Sequence, residues 1–424
     1  MVLGGAHTLP THVHIGPGQL GLGFVGQFFH ELKFDTVFLA RSADDGFKPV
    51  LKKRQAYYVR ELPGQGLTEI PFRDLIFFSP EDKGQEQALQ AIADPNTSVL
   101  TVAVGEAQLS SVSAMVARAL KLRKERKEPA KQLYVIACEN GDRCSDKLRL
   151  AVYRDLGISD PDELGASFVN CMVDRVCGEI THVDDQVVVP VESYREWVLE
   201  DPGAEELQNL LNHPNIAMVN SVEFALYDTR KRWLVNGLQL FLAFLGMDEY
   251  ENIDFSISEV ASDPLLRNVV ADICAELACA FALEDGGRVF GSAAIEDYVS
   301  SSLARLSSAK DPCARILHHI LIDDERLDAV ARRVGQDVAR GAELKKVIAR
   351  HLYETGFIFF EKAKARMYEP ILRLTQAREQ PVSTVGLAAI EIKRPHALMR
   401  LMLQLVPLLC DQGEILRSAY VPPR

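Results

Sequence analysis

The chain has 424 residues, 47% of them apolar, and a formal net charge of −12. That length and apolar mass suit a large core divided between two domains. The acidic balance argues against nucleic acid or an anionic membrane surface as the main partner, while leaving room for a small anionic ligand in a locally basic pocket.

No apolar run is long and uninterrupted enough to span a bilayer, and the first residues lack an export pattern. The eight cysteines have no CxxC spacing, and the ten histidines make no HExxH pattern. Both facts fit reduced thiols in a metal-independent cytoplasmic protein, a monomer or a small homo-oligomer.

Residues 12–16 read as a short strand, followed at once by Gly16-Pro-Gly18-Gln19-Leu20-Gly21, a helix over 20–32 and a second strand over 35–40. In that setting a GxGxxG pattern predicts a dinucleotide site. Gly16 permits the tight turn, Gly18 lets the backbone approach a pyrophosphate, and Gly21 lets the helix pack on the strand. The helix start at Gln19 and Leu20 presents N–H groups and partial positive charge to the phosphates. At the end of the second strand Ala40 stands where an acid for the ribose hydroxyls is usual. Arg41 and Ser42 could then hold a 2′-phosphate, which points to NADP, with NAD possible. The other reading makes Arg41 a solvated cation and takes the acid from Asp44 or Asp45.

Residues 55–80 alternate like a hairpin inserted into the sheet. A helix over 81–93 leads to a strand over 98–104, ending at Val104 and Gly105, where a small residue lets a flat ring lie close. A helix over 107–121 and a strand over 132–137 follow, the strand ending in Cys138-Glu139-Asn140. This alternation predicts an α/β doubly wound, Rossmann-type parallel sheet with ligands at the strands' carboxyl ends. In the apolar run 167–176, Asn170, Asp174 and Arg175 are costly to bury unless paired or at a mouth; the plainer reading of Asp174 and Arg175 is an ordinary ion pair. Segments 185–190 and 195–201 read as strands extending the sheet, with Glu200 and Asp201 as carboxylates near a pocket.

The stretch 229–246 reads as one helix, capped by Asp228 or Thr229 and ended by Gly246. Leu234, Leu238, Phe241 and Leu245 form its apolar face. Lys231, Asn236 and Gln239 occupy an arc of roughly 140° beside it, at 100° per residue. A first-turn position would depress the pKa of Lys231 through the helix dipole, as suits a general base; the plainer reading is a solvated cation.

Together the glycine loop, Val104-Gly105, Ala137-Cys-Glu-Asn140, Asn170 with Met172-Val-Asp-Arg175, Trp197-Val-Leu-Glu-Asp201 and the Lys231 helix resemble the polyol-specific long-chain dehydrogenases, the mannitol dehydrogenase and mannitol-1-phosphate 5-dehydrogenase family. That resemblance implies Lys231 as general base, Asn170 and Asn236 as donors to a developing oxyanion, and a nicotinamide coenzyme held by the loop, Val104, Gly105 and Asn140. The family pattern of Lys, four residues, Asn, two residues, His is met at Lys231 and Asn236, but Gln239 stands at the histidine position. Glutamine can donate and accept hydrogen bonds but cannot titrate.

Beyond residue 255 the chain reads as helices over 264–283, 293–307, 312–322, 326–334, 344–353 and 395–409. The domains are then a dinucleotide-binding domain over 1–228 and a helical substrate-binding domain over 229–424, with the cleft between them. Arg230, Arg232, Lys362, Lys364, Lys393 and Arg394 are cations that could meet a substrate phosphate. The expected activity is hydride transfer between a polyol or polyol phosphate and its keto sugar. The alternatives are a non-catalytic nucleotide- or sugar-binding homologue that lost its chemistry with the histidine, and a redox-assisted sugar epimerase.

Overall fold

A computed structural model describes residues 9–316, except 44–45, 65, 80–83, 127–130, 159–164, 184, 251–253, 283–285, 309–310 and 314–315. The expected helices over 326–334, 344–353 and 395–409, and nearly all of the one over 312–322, lie outside these residues, as do Asp44 and Asp45. The chain divides into two compact units, the first ending at Phe224 and the second beginning at Ala225. No helix among the described residues is long and apolar enough to cross a membrane.

The first unit opens with β1 (Thr11–Ile15), a wide π-helical turn (Gly21–Gly26), α1 (Gln27–Glu31) and β2 (Asp35–Ala40). It continues with α2 (Lys48–Arg54), β3 (Ala56–Leu62), β4 (Leu67–Pro71), β5 (Asp74–Phe77), α3 (Gly84–Ala93), β6 (Thr97–Val102), α4 (Leu109–Glu125), β7 (Leu133–Ala137), α5 (Cys144–Leu156) and β8 (Ala166–Phe168). Six of these strands form one sheet in the order β5-β2-β1-β6-β7-β8. All five of its pairings are parallel. The order reverses between β1 and β6, which opens a crevice at their carboxyl ends. Both faces are covered. Val13, Ile15, Val37, Leu39, Leu100 and Val102 pack with residues of α3 to α5 on one side, and Phe24, Phe28, Phe29, Val99 and Ile136 pack on the other.

The remaining strands correct the expectation of one extended sheet. β9 (Cys171–Asp174), β10 (Thr181–Val183), β11 (Gln186–Glu192), β12 (Glu196–Glu200) and, after α6 (Glu205–Leu210), β13 (Ile216–Val219) all stay out of the six-stranded sheet. The hairpin β3–β4 is not inserted there either; it joins β11 and β10 in a separate sheet ordered β10-β11-β3-β4. β12 lies between β13 and β9 in a third sheet. The reason is burial: Tyr57, Val59, Val187, Val189 and Val191 bury their side chains together against Leu22 and Phe38, a core of their own.

The second unit's regular elements among the described residues are helices, joined by one isolated bridge between Ser256 and Pro312. α7 (Ser221–Lys231), whose first four residues belong to the first unit, runs through a second wide turn (Arg232–Gly237) into α8 (Leu238–Tyr250). Then come α9 (Ile257–Ser262), α10 (Arg267–Phe281), α11 (Gly287–Val289) and α12 (Ser292–Ser308). Leu234, Leu238, Phe241 and Leu245 sit in its core with Ile273, Leu277 and Phe281, as the apolar stripe predicted.

Candidate dinucleotide site and catalytic residues

The glycine turn leaves β1 at the point where the strand order reverses. Gly16 takes φ +97°, and a Cβ there would overlap the Ala103 carbonyl next to β6. A Cβ on Gly21 would overlap both the Gly16 carbonyl oxygen and His14 Nε2. Gly18 differs: its missing side chain faces open space, with no atom within 4 Å. Two glycines are therefore required by packing, while the middle one leaves a surface that a phosphate can approach. That open cradle, at a helix start, fits the pyrophosphate of a dinucleotide.

A hydrogen-bonded chain fixes the turn from below. His14 Nε2 lies 3.0 Å from the Gly16 carbonyl and His14 Nδ1 lies 2.6 Å from Thr101 Oγ1. His12 Nε2 lies 2.7 Å from the same hydroxyl, and His12 Nδ1 lies 3.2 Å from Thr36 Oγ1. A carbonyl only accepts, so His14 carries its proton on Nε2 and accepts from Thr101 on Nδ1. Thr101 then accepts from His12 Nε2–H, and His12 Nδ1 accepts from Thr36. Burial lowers both histidines, His14 to about 4, so the chain is neutral with its tautomers set. Alternation along β1 puts both rings on one face. The spacing of His12 and His14 in a strand is the sequence signal of this pair.

The wide turn Gly21–Gly26 has a cause as well. Tyr57 donates to the Leu22 carbonyl at 2.8 Å, and Arg175 donates to the Gly23 carbonyl at 2.9 Å and to Gln27 Oε1 at 2.6 Å. Side chains inserted at those carbonyls take over bonds that an ordinary helix would make internally. Arg175 also donates to the Glu192 carbonyl and to Glu61, so its bonds link α1, β3 and β11.

At the carboxyl end of β2, Ala40 is buried, Arg41 exposed and Ser42 half-buried. At the ends of β6 and β7, Glu139 Oε1 accepts the N–H of Val104 at 2.7 Å and of Gly105 at 2.8 Å. Gly105 has φ +91°, and Asn140 beside this turn is exposed. Val104, Gly105 and Asn140 are the expected residues here, and Glu139 joins them through these two bonds.

Asn170, 2% exposed, directly precedes β9. Its Nδ2 donates to Asp146 at 3.0 Å and to Glu200 at 2.9 Å, and its Oδ1 accepts the Asp146 N–H at 3.2 Å. Arg143 bonds both carboxylates, through Nε to Asp146 at 2.6 Å and Nη2 to Glu200 at 3.0 Å. Burial alone would raise Glu200, but hydrogen bonds from Asn170 and Ser221 and the Arg143 charge hold it below the usual carboxylate range. Glu200 thus lies beside Asn170, while Asp201 bonds Gly203 N–H and Gln208.

In the second unit Lys231 is 8% exposed, the last residue of α7 before the wide turn. The expected helix start at Asp228 or Thr229 is corrected. The N-cap is Asn220, whose Oδ1 accepts the N–H groups of Val222 and Glu223, both at 3.0 Å. Asp228 pairs with Arg232 instead. Lys231 therefore lies ten residues past the helix start, beyond the reach of the N-terminal dipole, and the first-turn argument does not apply to it. Gly246 is no terminator; the helix runs on to Tyr250, and a Cβ at Gly246 would overlap the Phe255 ring. Asn236 lies half-buried inside the wide turn. Gln239 Nε2 donates to Asp311 Oδ2 at 2.7 Å. Arg230 lies over the rings of Tyr298 at 4.1 Å, Tyr227 at 4.6 Å and Phe290 at 4.9 Å. Lys362, Lys364, Lys393 and Arg394 lie outside the described residues.

The strand order, the reversal point and the glycine turn define a dinucleotide-binding domain of the Rossmann type. Residues 10–211 match the family model described as the mannitol dehydrogenase Rossmann domain. Mannitol-1-phosphate 5-dehydrogenase of Emericella nidulans is 26% identical over 300 residues, covering 70% of this chain and 72% of that protein. The enzyme of that name from Lactiplantibacillus plantarum is 28% identical over 254 residues, 58% of this chain and 62% of that one. The Pseudomonas fluorescens mannitol 2-dehydrogenase ternary complex with NAD and D-mannitol shares the fold, with a TM-score of 0.58 and 16% identity over 97% of this chain and 95% of that one. A substrate-free D-sorbitol dehydrogenase shares it as well, with a TM-score of 0.57 and 17% identity over 95% and 94%. Residues 10–211 of this chain are thus similar in sequence to the mannitol dehydrogenase Rossmann domain.

Proposed function

We propose that this protein is a nicotinamide-dependent polyol dehydrogenase that interconverts a polyol or polyol phosphate with its keto sugar, preferring NADP and accepting NAD. The observation that carries this reading is the open cradle at Gly18 on a sheet whose sequence matches mannitol dehydrogenases. Relatives named mannitol-1-phosphate 5-dehydrogenase support a small polyol-type substrate. Ala40 in place of an acid, with Arg41 and Ser42 next to it, supports NADP, since a guanidinium and a hydroxyl suit a 2′-phosphate.

In this reading Lys231 takes the hydroxyl proton, and in the reverse direction returns it to the new alcohol. Asn170 and Asn236 donate hydrogen bonds to the oxygen as it gains negative charge, where fixed donors act most strongly. Gln239, set by Asp311, orients the carbonyl without titrating. When bound, the coenzyme supplies the hydride acceptor at its nicotinamide ring. Gln27, Arg175 and Tyr57 shape the helix that carries the cradle.

Steady-state turnover of NADP and NAD over a panel of hexitols, ketoses and their phosphates, in wild type and Lys231→Ala, tests the reading. A loss of at least about a hundredfold in the variant is expected for a missing general base. Undiminished turnover would reject the role of Lys231. A second reading, a binder without chemistry, is favoured by one observation: Gln239 spends its amide on Asp311. Tight coenzyme binding with no hydride transfer to any panel member would support it.

A further inference from the structure

We propose that Glu139 is a positioning residue for the coenzyme: its carboxylate gathers the backbone N–H groups of Val104 and Gly105 and so fixes the turn on which the nicotinamide half rests. This rests on the dinucleotide reading above and names a residue of that same site. One carboxylate oxygen accepts both N–H groups, at 2.7 and 2.8 Å, and the side chain is only 8% exposed. β6 and β7 are parallel neighbours, so the turn after one strand is tied to the first residues after the other, at the sheet's ligand edge. Gly105 adds no side chain between this turn and the crevice, since its missing Cβ meets nothing within 4 Å.

A neutral amide could accept the same two bonds, so the carboxylate needs a further reason. Burial, opposed by the two N–H bonds and assisted by Glu106, pushes Glu139 up to about 7. The other groups facing it are Cys138 on its own segment and Cys144 on α5. Lys147 on α5 is paired with Glu106 at 2.6 Å. Cys144 is pushed up to about 12 and Cys138 is raised as well, while Lys147 is raised and stays charged, so Glu139 is the member of this group that changes charge near neutrality. Between the unfolded value of 4.5 and about 7, the folded protein holds a proton that the unfolded chain releases, so ionised Glu139 lowers stability as pH rises through that window. A group that opposes folding and braces the ligand edge serves binding. Protonation weakens its hold on Val104 and Gly105, and the coenzyme then binds a less ordered turn.

The test is coenzyme affinity by fluorescence titration with NADH and NADPH from pH 5.5 to 8.5, in wild type and Glu139→Gln. The 2′-phosphate of NADPH titrates near pH 6, so the comparison is the ratio of wild type to variant at each pH, in which that contribution cancels. The wild type should lose about fivefold or more in affinity as pH falls through 7, while Glu139→Gln shows no such loss. Thermal melts at pH 8 should show the variant at least as stable as wild type, the opposite of what a purely structural bond predicts. A ratio that stays constant with pH would overturn the role of Glu139 and leave the coenzyme reading standing. Failure of the wild type to bind either coenzyme would overturn both.

Discussion

The Asn170 carboxamide donates to the Glu200 carboxylate across 2.9 Å, while the Glu200 N–H donates to the Asn170 carbonyl across the same distance. This double link ties the residue before β9 to the last residue of β12. Asp146 takes the second carboxamide hydrogen, so both donors of Asn170 are engaged. To serve an oxyanion, Asn170 must exchange one carboxylate for substrate, and Glu200 keeps Arg143 and Ser221 when it does. Asn170→Asp would set a third carboxylate against two others. We expect stability lower by about 3 kcal/mol at pH 7, with part of it restored near pH 4 as carboxyls protonate, and turnover lost. Denaturant melts at the two pH values check this; an unchanged melt would show that the cluster carries little energy.

Gly18 and Gly21 of the turn should fail differently. Gly21→Ala drives a methyl into the Gly16 carbonyl and His14, and we expect a loss of about 1–3 kcal/mol together with coenzyme binding. Gly18→Ala meets open space, so its melting temperature should stay near wild type while coenzyme affinity falls about tenfold, the equivalent of about 1.4 kcal/mol. Paired melts and titrations distinguish the two, and equal behaviour would contradict the division of roles.

The histidine chain predicts a pH dependence with a definite sign. His12 and His14 are lowered by burial, so below 6.5 the unfolded chain binds protons that the folded protein refuses. Stability is full above 6.5 and is lost as pH falls toward about 4, by about 1.4 kcal/mol per unit for each histidine. Glu139 acts with the opposite sign in the same window, so the measurement belongs in Glu139→Gln. A flat profile between pH 6.5 and 4.5 in that variant would show that the histidines are not held neutral.

Coenzyme choice turns on Arg41. If its guanidinium meets a 2′-phosphate, Arg41→Ala should raise KM for NADP about tenfold and leave KM for NAD within about twofold. Equal effects on both coenzymes would remove Arg41 from the specificity argument.

Gln239→His would place an imidazole near Asp311, a partner able to orient it. We expect kcat for the best polyol of the panel to rise about tenfold, with a new titration in its pH profile. No change in either quantity would mean that position 239 does not touch the chemistry.

The sequence by itself determined what depends on local spacing. The strand–glycine–helix order, the alternation of strands and helices that makes a parallel sheet, and the apolar stripe of Leu234, Leu238, Phe241 and Leu245 all follow from periods of two and 3.6 residues and from glycine's lack of a Cβ. The start of α7 was not legible: Asp228 and Thr229 offer a cap nearer the apolar run, whereas the folded helix is capped by Asn220.

What tertiary structure alone decided is partner choice. β3 and β11 pair in a sheet of their own although 130 residues separate Tyr58 from its partner Val188; the shared core around Tyr57 and Val189 selects that pairing. Arg175 bonds Gly23, Gln27, Glu61 and Glu192, where neighbouring Asp174 looked sufficient. Glu139 finds Val104 and Gly105 because parallel strands bring their ends together. A buried donor or acceptor must be satisfied by whatever the fold sets beside it, and sequence distance carries no information about which group that will be.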